Sequence, residues 1–516
     1  MKSISLAAAA CVALASTAAA QAVFYVDQVN GSNATGNGTA ASPFQTMTFA
    51  VSLSVPSQSL TLRLQPGVYS AANGESFPLD LPANVTVEGV LRRGARIRHQ
   101  LANPLVGAAT AALRVEYGSD GGSCTMRNLA FGGNQKAVRV RSNSNDTSTF
   151  NVENVTTRMV GPTSQNAGIG LTVVCDEGNV LCNIDGATST DRQIGLWLRT
   201  SGFGNIYGTM NSSTFLAEGA AALPSGTAVR FESNGDGEIE FVTNNTAIYE
   251  KSKAFEVRQL GQTNQFLAMN HCAFSDNGLP AFIPSGPIVI GGVIDHVIGA
   301  PTTCTVGACA FFGNAAELPG YDPNTYSVGD CIVQSAPLVA LPGNLTGDPL
   351  WVDAANGDFH ILPGSPARDA ILASLDTDFD GDDRNQGCAN AGDIGIDESF
   401  DSDIYLPGGS AASLGSTVAT NLYGDGGSIA VVAAGIASGL PCGQPQILLT
   451  NYVQLGTVTM PGTAGTRAFG TLSFGLPTST ALIGNSYDIS AGFVLNPTGI
   501  PSLVSAANAR NLQIIN

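Results

Sequence analysis

The sequence predicts an all-β chain, a parallel β-helix followed by a small C-terminal β-sandwich-like domain. Three observations carry this. The first is composition: 61 of 516 residues are glycine and only 12% are charged, against about 25% charged in ordinary globular proteins. Long solvated helices need Glu and Lys on their outer faces, so this composition favours short strands and tight turns. The second is a strand-like segment that recurs every 25 to 33 residues in the middle of the chain. The third is a change of character after about residue 400, where charge nearly disappears. The same composition excludes other classes. A net charge of −18 and a pI near 4.5 argue against a general nucleic-acid binder, which needs a basic face. A hydrophobic content of 44% argues against a disordered chain.

The N-terminus reads as an export signal. Lys2 precedes an apolar run from Ile4 to Ala15, and Ser16-Thr17-Ala18-Ala19-Ala20 supplies small residues before Gln21. This is the order of a basic region, an apolar region and an Ala-x-Ala cleavage site, so residues 1–20 are expected to be removed. The run is too short to span a bilayer, which takes about 20 residues, and no transmembrane span is expected. Cys11 lies inside the apolar run, so a lipoprotein anchor is not expected. Export permits disulfides. Nine cysteines remain after cleavage; Cys175/Cys182 and Cys304/Cys309 are the close candidate pairs, and an odd count leaves at least one thiol over. No Cys or His spacing suits zinc.

An N-terminal cap is expected over residues 21–59. Thr46 to Leu53 can form a short helix over the open end of the coil, which would otherwise expose unpaired backbone. Leu60-Thr-Leu-Arg-Leu64 is then the first strand, turned by Pro66-Gly67.

The coil itself, within residues 21–398, shows in five aligned segments: Ala137-Val-Arg-Val-Arg141, Gly170-Leu-Thr-Val-Val174, Gly195-Leu-Trp-Leu-Arg199, Ala228-Val-Arg-Phe-Glu232 and Ala254-Phe-Glu-Val-Arg258. Their period-two alternation marks half-buried strands. Val138, Leu171, Leu196, Val229 and Phe255 should stack in one interior column. A second column is built from Asn128, Asn154, Asn211, Asn244 and Asn270, with a turn near Asp185 filling its long gap. Asn at a bend tolerates left-handed backbone and can ladder through its amide. A β-sandwich is the competing reading, but its hairpins recur every 8 to 12 residues or so.

Three further stretches carry resemblances. Val23-Phe-Tyr-Val-Asp27, Asn30-Gly-Ser32, Ala41-Ser-Pro-Phe-Gln-Thr46, Leu64-Gln-Pro-Gly-Val-Tyr69, Gly74-Glu-Ser-Phe-Pro-Leu79 and Val85-Thr-Val-Glu-Gly89 resemble the N-terminal part of an uncharacterised bacterial family of secreted, pectate-lyase-like β-helix proteins. The resemblance implies a right-handed parallel β-helix. Residues 347–398 contain Gly347-Asp-Pro-Leu-Trp-Val-Asp353, Gly357-Asp-Phe-His-Ile-Leu-Pro-Gly-Ser-Pro-Ala-Arg-Asp369 and Asp393-Ile-Gly-Ile-Asp-Glu398. They are similar to the closing segment of β-helix surface proteins that end in an anchoring tail. Neither resemblance imports a common activity. Residues 401–516, with strands expected at 485–495 and 512–515, resemble a small C-terminal β-domain of exported bacterial proteins.

Chemistry is sparse. His99, His271, His296 and His360 stand in no catalytic or metal spacing, and no Gly-x-Ser-x-Gly elbow is present. Asn183-Ile-Asp185, with Asp191, is the only echo of the grouped carboxylates of a β-helix glycosidase. The outward positions of the aligned segments say more. Arg139, Trp197 and Arg230 share one outer column, and Arg141, Arg199 and Arg258 the next. Trp can stack on a sugar ring and Arg makes bidentate bonds to carboxylate or sulfate. The ordinary alternative is a solvated face whose arginines pair with Glu232 and Glu256. Asp376, Asp378 and Asp380 alternate before Gly381, a spacing that suits calcium, but Gly387 stands where an EF-hand needs its bidentate acid. The sequence thus describes an exported or cell-surface β-helix whose partner is an extracellular polysaccharide or surface component. Its alternative is a polysaccharide lyase or glycoside hydrolase acting on an acidic glycan.

Overall fold

The computed structural model describes residues 21–515 apart from internal stretches, the longer of which are 101–110, 161–167, 218–225, 278–293 and 438–448. The leader proposed for residues 1–20 lies outside the described residues.

Strand alternation and the repeat build a right-handed parallel β-helix. Each turn of chain adds one strand to each of three sheets, which hold eleven, eight and nine strands among the described residues. The first sheet runs from Ala22–Val26 to Tyr326–Gly329, the second from Leu79–Leu81 to Ile294–Ile298, and the third from Gly67–Ser70 to Ala310–Phe312. Their pairings are parallel and in register. In the second sheet Leu113, Val138, Leu171, Leu196, Val229 and Phe255 are successive partners, none more than 4% exposed. This is the interior column expected from the aligned segments. Successive layers lie about 4.8 Å apart, so each side chain packs on its equivalent above and below. Phe255 lies 6.2 Å from both Phe231 and Phe274, and Phe274 stacks on Phe311 at 4.9 Å. Phe255→Ala is expected to cost about 3–5 kcal/mol, read as a lowered denaturation midpoint; an unchanged midpoint would show that the aromatic stack is not part of the core's stability.

The asparagine column proves to be two columns, one residue apart. Asp185, Asn211, Asn244 and Asn270 are in-register strand ends. Asn244 Nδ2 donates to Asn211 Oδ1 at 2.9 Å, and Asn270 Nδ2 to Asn244 Oδ1 at 3.0 Å. Asn128 and Asn154 instead occupy the next position, at φ of 57° and 53°, where Ser212, Asn245 and His271 also take the left-handed conformation. Asn suits both jobs, an amide ladder and a left-handed bend, so its spacing alone could not separate them.

Both coil ends are capped. Thr46 precedes a helix at Met47–Ser52 and accepts from Phe49 N. The buried Glu75 carboxylate accepts from Met47 N at 2.7 Å, Thr48 N at 2.9 Å and Thr48 Oγ1 at 2.7 Å. At the far end, Leu338 of the short helix Ala336–Val339 closes the core. Glu317 accepts there from the backbone of Gln334 and Ser335.

The described residues between 351 and 397 pack as a strap along the outer face of the third sheet. Phe359 and Ile396 cover Ala247, Tyr249 and Ala273, while Ile361, Ala367 and Ile394 cover Ala310 and Ile332. The fully buried Arg384 fastens the strap, donating to Asn245 Oδ1 at 3.0 Å and to the carbonyls of Gly395 and Ile396 at 3.0 and 2.7 Å. Beyond it, two sheets share a separate core that includes Leu422, Val432, Ile489 and Leu512. One contains Asp403–Tyr405, Thr417–Asp425 and Arg467–Gly475. The other includes Ile429–Ala437, Leu449–Thr459, Ser486–Leu495 and Arg510–Ile515. Asn421 Nδ2 reaches back to Asp358 Oδ2 in the strap at 2.6 Å.

The expected disulfides are not formed. The seven described cysteines are all buried, unbridged thiols. Cys175 ends its strand and bonds to the carbonyls of Glu177 and Gly178, while Cys182 stacks between Phe150 and Gly208 in the first sheet. Cys304 is paired in register with Leu267 and Tyr326. Cys309 lies beyond the following bend, where Cys272 N donates to its Sγ at 3.4 Å. Sequence neighbours here fall on different sides of a bend, and each thiol packs along the coil axis instead. Cys11, Cys388 and Cys442 lie outside the described residues.

Candidate functional site

The second sheet presents the predicted columns outward. Successive partners in one are Asp80, Arg114, Arg139, Thr172, Trp197, Arg230 and Glu256, and in the other Glu116, Arg141, Val174, Arg199, Glu232 and Arg258. Where the small outward residues Thr172 and Val174 lie between arginine rungs, the surface dips. The result is a groove of about 280 Å³, lined by Lys136, Arg139, Arg141, Trp197 and Arg199 among others. Thr172 forms part of its floor, and Asp176 and Ser201 close one end.

Five of the six predicted residues gather here. Trp197 is the centre: Lys136 Nζ lies 5.5 Å from its ring centroid, and the guanidinium carbons of Arg199 and Arg230 lie 6.0 Å away. Arg139 and Arg141 line the near wall. Arg258 does not join them. Its Nη2 is bound to Glu256 Oε1 at 3.0 Å, one rung beyond Arg230.

The alternative reading of these arginines as ion-paired strand residues holds for all five, each of which has an acidic partner, Glu232 and Glu256 among them. Arg230 and Arg258 share the buried Glu256 with Lys253, whose Nζ is 2.9 Å from Oε1. Burial raises the Glu256 carboxyl, but Arg230, Lys253 and Arg258 overcome it and hold it at about 2. Arg141 is bound to Asp176, which also accepts from Ser201. Arg139 and Arg199 have looser partners, Glu116 at 3.6 Å and Glu232 at 3.4 Å.

Lys136 has no acidic partner among the described residues. Burial lowers its ammonium below the usual lysine range, and Arg139 and Arg199 push the same way. Lys136 was absent from the sequence-derived set because it stands one residue before the aligned segment. Extending each segment by that residue would have found it, in register with Ala111 and in the same column as Lys253. Asp176 and Ser201 were missed because they lie beyond the strand ends. Two further polar atoms of the groove, Trp197 Nε1 and Thr172 Oγ1, are buried and have no hydrogen-bond partner among the described residues.

The other candidates do not join this site. Asn183 and Asp185 are on the first sheet, and Asp191 is a bend residue at φ 56°. Burial and Glu153 raise the Asp185 carboxyl, against Arg92. Among the described residues Asp176 is the only acid lining the groove, so they do not assemble the two carboxylates of a glycosidase there. Of the calcium candidates, Asp376 and Asp380 lie outside the described residues, and Asp378 is buried. No group of three His, Cys, Asp or Glu with metal-binding geometry occurs among the described residues. Arg384 is bound to carbonyls and Asn245 in the strap. Among the histidines, His360 Nδ1 bonds Asp358 Oδ1 at 2.7 Å, and His99 and His271 are buried. The side chain of His296 lies outside the described residues. No described helix is long and apolar enough to cross a membrane.

Residues 29–169 match the model of a family described as a protein of unknown function, DUF1565. No curated protein matches the chain. Among solved structures, the crystal structure of pectate lyase Pel9A is similar with a TM-score of 0.42 and 12% identity. The alignment covers 74% of this chain and 97% of that one.

Proposed function

We propose that the protein is exported and binds acidic polysaccharide in the Trp197 groove. The observation that carries this reading is the set of unanswered donors. Trp197 Nε1 and Thr172 Oγ1 have no hydrogen-bond partner among the described residues, and Lys136 sits beside them without an acid among the described residues. Buried polar groups are nearly always satisfied, and each one left over costs about 1–3 kcal/mol. A ligand rich in oxygen and negative charge would satisfy all three. The indole offers such a ligand an apolar face for a sugar ring, and the flanking arginines offer forks for carboxylate or sulfate.

The rigid coil suits this task. The groove is built on strands rather than loops, so its donors are held in place before binding and little ordering entropy is lost. Asp176 is already engaged by Arg141 and Ser201 and does not add a free negative charge. The test is calorimetric titration with polygalacturonate, a sulfated glycan and a neutral glucan of matched length. Binding to the acidic polymers that weakens with added salt, and none to the neutral one, is the expected result. Equal binding to all three would overturn the charge-based reading. Unsaturated products in the same mixtures would make cleavage, not binding, the function.

A further inference from the structure

The groove has a direction. Its floor is Thr172, Val174 and then Asp176, outward positions of one strand and of the bend that follows it. The strand Lys136–Ser142 walls it on one side and Ile194–Thr200 on the other. It therefore runs along the strands and across the axis of the coil. Lys136 stands at one end, and Asp176 and Ser201 at the other. From Trp197 to Ser201 the wall covers roughly 13 Å of extended chain, which leaves room for a sugar unit beyond the one at the indole.

Phe203 follows Ser201 in the same bend. It is 74% exposed, the most exposed large apolar side chain among the described residues. A single exposed apolar residue is ordinary, but the backbone that carries this one is clamped from both sides. Gly202 takes the left-handed conformation at φ 64°, and its carbonyl accepts from Asp236 N of the next rung at 2.8 Å. A Cβ at Gly204 would lie 2.5 Å from the carbonyl oxygen of Cys175 on the preceding rung, and one at Gly235 only 2.4 Å from that of Gly202. The bend Ser201-Gly-Phe-Gly204 thus packs backbone to backbone between its neighbours, so its backbone is already ordered before a ligand arrives. Charge changes sign along the same line. Lys136, Arg139 and Arg199 line the groove, whereas the bend residues 143–146, 176–178, 201–204 and 234–238 include no Lys or Arg. Glu177 and Asp236, in the bends on either side of Phe203, are exposed. A ligand that is anionic throughout meets like charge there.

We propose that Phe203 is a second sugar platform of the groove and that the ligand is a glycan of mixed charge, with an acidic unit over Trp197 and a unit without negative charge over Phe203. The placement rests on the reading of the groove as a polysaccharide site, and it gives the bound chain a direction and a composition. Continuity chooses the occupant, because Ser201 belongs to the groove and Phe203 to the same clamped bend. The phenyl ring offers an apolar face and no donor, which suits the apolar side of a sugar ring rather than a carboxylate or sulfate. The cationic wall reads the charge of one unit, and the ring beyond it reads the shape of the next.

The experiment is calorimetric titration of the full chain with an alternating glucuronate–glucose tetramer, an all-glucuronate tetramer and the glucuronate–glucose dimer. Wild type should prefer the alternating tetramer. F203A should weaken binding of that tetramer about tenfold and leave the dimer, which ends before the bend, unchanged. F203W should restore the affinity. Thermal melting should give both variants the wild-type midpoint, because the ring is exposed. Unchanged affinities in F203A, with W197A weakening every ligand, would overturn the platform and leave the groove standing. Unchanged affinities in W197A would overturn the groove and the platform with it. A preference for the all-glucuronate tetramer would overturn the mixed-charge ligand. Self-association of the protein that F203A abolishes would give the ring to a second copy of the chain and overturn its role as a platform.

Discussion

Trp197→Ala is expected to weaken binding of an acidic oligosaccharide at the groove by about 30-fold or more, the size of a hot-spot loss of about 2 kcal/mol. The substitution removes three things together. It takes away the apolar face for a sugar ring, and the Nε1 donor that has no acceptor among the described residues. It also takes away the ring against which Lys136, Arg199 and Arg230 are held at 5.5 to 6.0 Å. Without that ring the cations regain rotamer freedom and must lose it again on binding. Trp197→Phe keeps an aromatic face and loses the donor, so its loss should be about fivefold, one hydrogen bond of about 1 kcal/mol. Trp197 faces outward, and its replacement should change stability by less than about 1 kcal/mol. Affinities from titration, set beside thermal melts, check both. Unchanged affinity in a folded W197A protein would remove the indole from the site and leave only diffuse charge.

The legibility of this site in the sequence follows from how a coil is built. Period-two alternation and a repeat of 25 to 33 residues place Arg139, Trp197 and Arg230 in one outward column without any knowledge of turns. Register then follows, because a slip by one residue would turn Val138, Leu171 and Leu196 out to water. The bends are less legible. They vary in length, and one residue type serves neighbouring positions, so Asn128 and Asn154 were aligned with the wrong partners. Lys136, Asp176 and Ser201 sit where strand becomes bend, and were missed for the same reason. The cysteines show a further limit. Nearness in sequence suggests a bridge in a compact domain, but in a coil the nearest side chain lies a whole turn away, as Cys272 does from Cys309.

Glu256 supplies the second large effect. It is 1% exposed and faces Arg230, Lys253 and Arg258. Glu256→Gln leaves three cations without their shared counter-charge, a loss of about 3–5 kcal/mol for a broken buried pair. The same group sets an acid limit. Its carboxyl is held at about 2 in the folded chain, below the usual glutamate value of about 4.3 in the unfolded chain. A depressed carboxyl stabilises the fold fully above the unfolded value and loses that contribution as pH falls through the folded one. Wild-type stability should therefore drop by about 3 kcal/mol between about pH 4.3 and pH 2 from this group. The E256Q protein should start lower and lack that part of the decline; denaturant titrations across the window measure the difference. Parallel declines in the two proteins would show that Glu256 is not the group responsible. Its loss should also act on the groove. Arg230 lies against the Trp197 ring but is held back by Glu256, and in E256Q it is released toward the ligand. At neutral pH the less stable protein should then bind an acidic oligosaccharide at least as tightly as wild type. The rung beyond the groove thus stabilises the fold by neutralising an arginine that the site could otherwise use.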